Sequence, residues 1–142
     1  EMERARADTP QQALHKMIEP IFQKLWDMTF DVLGGTNPFR VIIDRTTCIS
    51  LDAPDYCDII KKPMNLTYIR NKIRDLQYEN LQQFFADLEL MIDNAIVYNS
   101  DLNNPYRIAA DDMKRRNAKL MKKVHEKLQA QAQAANAANA TK

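Results

Sequence analysis

The segment Pro54-Asp55-Tyr56-Cys57-Asp58-Ile59-Ile60-Lys61-Lys62-Pro63-Met64-Asn65 constrains the fold of this chain more than any other. Two prolines cannot share one regular helix, and each biases the residue before it toward extended backbone, so the segment holds at most one or two helical turns between fixed bends. Its aromatic and aliphatic side chains must therefore pack from a loop, between two helical regions and opposite Tyr98-Asn99. We read it as the wall of a pocket.

Before it, Thr9-Pro10-Gln11-Gln12 combines a threonine cap, a proline at the first helical position and a glutamine at the third, which predicts a helix start. Leu14, Ile18, Ile21, Leu25, Met28 and Val32 then follow four-and-three spacing along one stripe, with Gly34-Gly35 as the expected stop. Pro20 interrupts this stripe, so the helix either kinks or begins there. From Gly34 to Asn65 no period holds, yet Phe39, Val41, Ile42, Ile43, Ile49, Leu51, Tyr56, Ile59 and Ile60 make the stretch too apolar for a solvated linker. Such a loop should fold over the helices and shape a surface.

Asn65 caps a second helix carrying Leu66, Ile69, Ile73 and Leu76, and Asn80 with Gln83 opens a third carrying Leu81, Phe84, Phe85, Leu88, Ile92, Ala95 and Ile96. Asn99 lies five helical turns after Leu81 and so faces inward. Asn104-Pro105 opens a fourth helix burying Met113, Leu120, Met121, Val124 and Leu128. Its cations Arg115, Arg116, Lys119, Lys122 and Lys123 lie mostly off that stripe, either a solvated face or a weak contact for DNA phosphates. The Ala/Gln/Asn-rich end has no apolar face and is expected to fray. The pattern predicts an all-α, antiparallel four-helix bundle with its long connection between the first two helices.

The 45% hydrophobic composition suits a single soluble unit, and no apolar run approaches a membrane span. Glu1 to Arg6 lacks the apolar region of a signal peptide, which points to an intracellular domain. Cys48 and Cys57 are too few for a disulfide framework and lack partners for zinc, so neither metal nor cofactor is expected. A net charge of +1 gives no global drive toward nucleic acid. Catalysis is disfavoured, because neither cysteine has a partner evident in the sequence and His15 and His125 sit on the outer helices.

An inward carboxamide at a helix end must find hydrogen-bond partners. Asn99 either caps its own helix or meets something polar entering from outside, and the neighbouring loop offers apolar walls and Tyr56, whose hydroxyl could hold a water. Asn37-Pro38-Phe39, Asp44, Pro54-Asp55-Tyr56, Ile59 through Leu66 and Tyr98-Asn99 resemble the ordered motifs of a bromodomain, over roughly residues 14–128. The resemblance implies a left-handed bundle, a domain over 10–128 between a charged extension (1–9) and a tail (129–142), and a nuclear, monomeric, non-catalytic reader of acetylated lysine in histones or other chromatin proteins.

By the same resemblance Asn99 donates to the acetyl carbonyl and Tyr56 contacts it through water. Pro38 and Phe39 form a shelf, Ile43, Leu51 and Ala53 line the channel, Ala95 and Tyr98 form its helical wall, and Pro105 stands as gatekeeper at the mouth, with Tyr106 or Leu102 as the alternatives there. Three departures are visible: Asn37 replaces the shelf tryptophan and leaves the shelf open, the stretch from Asp44 to Leu51 is long, and Pro105 replaces a branched or aromatic gatekeeper. They motivate the alternative of an interaction scaffold that has lost acetyl-lysine binding. Asp44, Asp52, Asp55, Asp58 and Asp101 cluster in the two loops, as an ordinary solvated surface or as a match for a lysine-rich tail.

Overall fold

The computed structural model describes residues 8–140, which fold into five α-helices and two 3-10 turns with no strand among the described residues. Apart from Asp8 and Thr9, the expected charged extension lies outside them. Helix α1 spans Pro10–Trp26, α2 Tyr56–Ile59, α3 Leu66–Arg74, α4 Leu81–Tyr98 and α5 Pro105–Ala140. The four longer helices are those predicted, and α2 is the short turn that Pro54 and Pro63 permit.

Capping residues set the helix starts. The Thr9 hydroxyl accepts from Gln12 N–H while the Gln12 side chain accepts from Thr9 N–H, a complete capping box. Asn65 and Asn80 accept from Tyr68 and Gln83 N–H at 2.8 and 2.9 Å. Pro20 neither starts nor stops α1, which runs through it. It lies on the exposed face, where water can take the carbonyl that its missing N–H leaves free.

The end of α1 differs from expectation. It stops at Trp26 rather than at Gly34-Gly35, because Phe30 turns back into the core, 1% exposed, and pairs with Thr36 in an isolated antiparallel bridge. Gly34 (φ 67°) and Gly35 (φ 79°) close this tight turn instead, and their N–H groups donate to Asp31 O and Phe30 O. Val32, placed on the buried stripe by spacing alone, is exposed.

One apolar core joins the helices. Ile18, Phe22 and Leu25 of α1 meet Leu66, Ile69 and Ile73 of α3, Leu81, Phe84, Phe85, Leu88, Met91 and Ile92 of α4, and Ala109, Ala110 and Met113 of α5. Leu120, Met121, Val124 and Leu128 pack against it only in part. His15 is buried with both ring nitrogens engaged: Nε2 accepts Tyr78 N–H at 3.0 Å, which leaves Nδ1 to donate to Gln11 O at 2.7 Å. Its role is structural.

The tail corrects the expectation of fraying. Helix α5 continues to Ala140 although residues 129–138 are all exposed, and high alanine and glutamine propensity sustains a helix already nucleated by the bundle. Among the described residues no helix is long and apolar enough to cross a membrane, and no group of three or more His, Cys, Asp or Glu is placed to hold a metal.

Candidate functional site

A second, smaller apolar cluster forms within the long loop, where Cys48, Ala53, Tyr56 and Ile60 are buried together with Ile43, Cys57 and Tyr98 against them. Both thiols are free. The cluster lets the loop stand clear of the bundle and enclose a cavity of about 410 Å3 between itself and the ends of α4 and α5.

Nine of the ten residues expected at the site line this cavity. Pro38, Phe39, Ile43, Leu51, Ala53 and Tyr56 come from the loop, and Ala95, Tyr98 and Asn99 from the end of α4. Tyr56 is 7% exposed and meets Tyr98 edge to face at 4.9 Å between ring centres. Burial raises its phenol pKa, so its hydroxyl stays protonated and able to donate. The Tyr98 hydroxyl donates to Asp55 at 2.7 Å, which ties α4 to the loop and, after burial, helps lift its pKa to about 12. Asn99 is the C-cap of α4, and its Nδ2 donates to Ala95 O at 2.9 Å. Capping and facing the cavity, posed as alternatives by the sequence, are both met here, since a carboxamide has two N–H groups and one oxygen and this bond uses one N–H.

Pro105 is the exception. It is exposed at the first turn of α5, and the cavity is lined instead by its neighbours Asn104 and Tyr106. Asn104 accepts Tyr106 N–H at 2.8 Å, which fixes the helix start and leaves the proline ring outside. Pro105→Ala should therefore change stability by no more than about 1 kcal/mol and leave acyl selectivity unchanged. Tyr106→Ala should widen the mouth and raise the affinity for butyryl-lysine relative to acetyl-lysine peptides, as titration of both peptides will read.

Asn37 is the second correction. It is buried rather than set on an open shelf, and Nδ2 donates to the terminal α1 carbonyls of Leu25 and Trp26 at 3.0 and 3.1 Å while Oδ1 accepts Phe39 N–H at 3.0 Å. It thus holds Pro38 and Phe39 in their 3-10 turn. The shelf is further fixed by Arg40, whose Nε donates to Trp26 O at 2.8 Å and whose guanidinium, with that of Arg70, lies on the Trp26 ring, 4.9 and 4.6 Å from its centre.

Sequence reasoning missed Val41, Asp52, Met64, Asn65, Met91 and Asn104 as lining residues. For Met91 a signal existed, because it precedes Ala95 by one turn and Asn99 by two on the same face. For Asp52 none did: it sits at φ 60°, a left-handed conformation fixed by the fold of the loop.

Asp44 stands apart from the mouth, since its carboxylate accepts from Thr46 N–H and hydroxyl at 2.8 and 2.6 Å and from the Tyr68 hydroxyl at 2.7 Å. These bonds, the Thr46 hydroxyl foremost, lower its pKa from 3.8 to about 2. A carboxyl with a depressed folded pKa stabilises above its unfolded value, and this contribution fades as pH falls from about 4 through about 2. Tyr68→Phe should raise the Asp44 midpoint toward, though not to, the ordinary value because Thr46 remains. Carboxyl chemical shifts against pH will show it.

The protein-family model for the bromodomain matches residues 37–111, the span from the shelf through the first turns of α5. The chain belongs to the bromodomain family. It is 39% identical over 97 residues, 68% of its length, to "Protein cbp-1" of Caenorhabditis elegans, and 38% identical over 112 residues, 79% of its length, to a bromodomain-containing protein homolog of Drosophila melanogaster. The chain spans 4% and 7% of those two proteins. Among solved structures it resembles the second bromodomain of Candida albicans Bdf1, with a TM-score of 0.63 over 76% of this chain and 96% of that one, at 23% identity. That likeness bears on the fold, a helical bundle.

Proposed function

We propose that this bromodomain reads acetylated lysine in histone tails or other chromatin proteins, without catalysis, as a nuclear module whose domain spans residues 10–128. One observation carries the reading. The Asn99 carboxamide and the Tyr56 hydroxyl share a cavity whose remaining lining is mostly apolar, Phe39, Ile43, Leu51, Ala53, Met64, Met91 and Ala95 among it, with Asp52, Asn65 and Asn104 as further polar residues. Its volume falls in the range of about 300–1,000 Å3 usual for small-ligand sites.

Acetylation removes the lysine charge and leaves a methyl and a carbonyl acceptor on an aliphatic stem. The stem and methyl suit the apolar walls, the carbonyl takes the free N–H of Asn99, and Tyr56 donates to a water beside it. An unmodified ammonium would lose its hydration against these walls, at a cost of several kcal/mol, so discrimination comes mostly from rejecting charge. One hydrogen bond of about 1 kcal/mol and modest apolar contact give affinity of micromolar order or weaker for a single peptide. Neighbouring modules would supply strength by avidity.

A second reading, contact with DNA through α5, draws on the exposed Lys114, Lys119, Lys122, Lys123 and Lys127; Arg115 and Arg116 already pair with Asp112. Titrating an acetylated peptide, its unacetylated counterpart and duplex DNA against the same protein separates the readings. Equal affinity for the two peptides would overturn the first, and absence of salt-dependent DNA binding the second.

A further inference from the structure

Arg107 occupies the first turn of α5, where a cation opposes the helix dipole, whereas the last turn of α4 has no basic residue of its own. The two facts have one explanation in space. The Arg107 side chain leaves its own helix and reaches the C-terminal end of α4, where Nη1 lies 3.4 Å from Ile96 O, 3.3 Å from Asn99 O and 3.4 Å from Ser100 O. It serves carbonyls that a helix end leaves without partners, and its charge complements the negative end of the α4 dipole.

The guanidinium is held in turn from the other side. Nε donates to both Asp111 oxygens, at 3.1 and 3.3 Å, and the Arg107 side chain is 18% exposed. Asp111 follows by one turn on the same helix, so it fixes the fork and aims Nη1 at α4. The site matters because Asn99 has left the helical conformation, at φ −105° and ψ 72°. Its carbonyl no longer lies in the α4 ladder, and Arg107 Nη1 approaches it from outside that ladder at 3.3 Å.

We propose that Arg107, buttressed by Asp111, is the positioning residue of the acetyl-lysine pocket, fixing the main chain of Asn99 so that its carboxamide faces the cavity. Arg107 is not among the lining residues and acts only through Asn99. The inference rests on the acetyl-lysine reading for its consequence in binding, but its geometry concerns Asn99 alone.

The test uses the whole chain as Arg107→Met, Arg107→Lys and Asp111→Asn, with two acetyl-lysine peptides of unrelated flanking sequence titrated by nuclear magnetic resonance and the Asn99 side-chain amide resonances followed in the free protein. Arg107→Met should weaken both peptides by about tenfold and by the same factor, since Asn99 is common to both, and should shift or broaden the Asn99 amide. Arg107→Lys should recover part of the affinity, because an ammonium can still reach the carbonyls although nothing tethers it to Asp111 as Nε does. Asp111→Asn should fall between wild type and Arg107→Met. Wild-type affinity and unmoved Asn99 resonances in a folded Arg107→Met would overturn the proposal, as would losses that differ between the peptides. Should Arg107→Met not fold, wild-type behaviour of both other variants would overturn it equally. If the wild type binds neither peptide, the acetyl-lysine reading fails, and the Asn99 resonances alone decide whether Arg107 positions that residue.

Discussion

Asn99→Ala should abolish measurable acetyl-peptide binding while the bundle stays folded. Among the described residues the side chain makes one hydrogen bond, Nδ2 to Ala95 O at 2.9 Å, and the Asn99 main-chain N–H donates to the same carbonyl at 3.0 Å. Truncation therefore leaves Ala95 O with a donor, and the loss of stability should be near 1 kcal/mol, as for an ordinary intramolecular hydrogen bond. The bound state fares worse. The acetyl carbonyl would be left desolvated among apolar walls without a donor, a penalty of about 1–3 kcal/mol added to the lost bond. From micromolar affinity, a total of roughly 2–4 kcal/mol moves Kd toward the millimolar range. Calorimetric titration beside thermal denaturation reads both quantities, and a folded variant with unchanged affinity would remove the basis of the proposed function.

The sequence disclosed the helices because each start carries its own chemistry. Thr9, Asn65, Asn80 and Asn104 are caps whose partners lie within three residues, so local pattern suffices. The ends were less legible. Glycine marks a left-handed position without naming the element it closes, and Gly34-Gly35 closes the turn after Phe30 rather than α1. Period turned Asn99 inward and put Ala95 on the buried face of α4, whereas the places of Ala95 and Tyr98 in the cavity wall, like those of the loop residues, followed only from motif resemblance. Pro105 went astray for a geometric reason: adjacent residues at a helix start point about 100° apart, so a one-residue difference in register turns a side chain from the cavity to solvent.

Asp55 and Arg107 show a second limit. Their partners, the Tyr98 hydroxyl and the carbonyls at the end of α4, lie across the fold or beyond local spacing. Charge pattern alone placed Asp55 among the loop acids, as a solvated surface or a match for a lysine-rich tail, and left Arg107 unremarked. The structure gives both a tertiary task, holding the end of α4 against the long loop on one side and against α5 on the other.

Asn37→Trp is the sharpest test of the corrected shelf. Were Asn37 an open shelf position, tryptophan would add apolar area and tighten ligand binding at roughly 25 cal/mol per Å2. Its burial and three hydrogen bonds reverse the expectation. Tryptophan has no group to accept Phe39 N–H; Leu25 O loses its side-chain donor but keeps Met28 N–H at 3.3 Å, and Trp26 O keeps Arg40. The stranded Phe39 N–H costs about 1–3 kcal/mol, and forcing an indole into a filled site adds about 1–3 kcal/mol more. The variant should therefore lose about 3–5 kcal/mol, a large fraction of the roughly 5–15 kcal/mol typical of a folded domain, and its Tm should fall by about 10 °C or more. Acetyl-peptide affinity should fall with it, because Pro38 and Phe39 line the cavity from the turn that Asn37 caps. Asn37→Asp separates the two halves of the role: it keeps the acceptor for Phe39 N–H but turns a carboxylate toward the Leu25 and Trp26 carbonyls, so it should retain the turn and still lose stability at the end of α1. A tryptophan variant as stable as wild type with tighter ligand binding would return Asn37 to the shelf and remove it from the core.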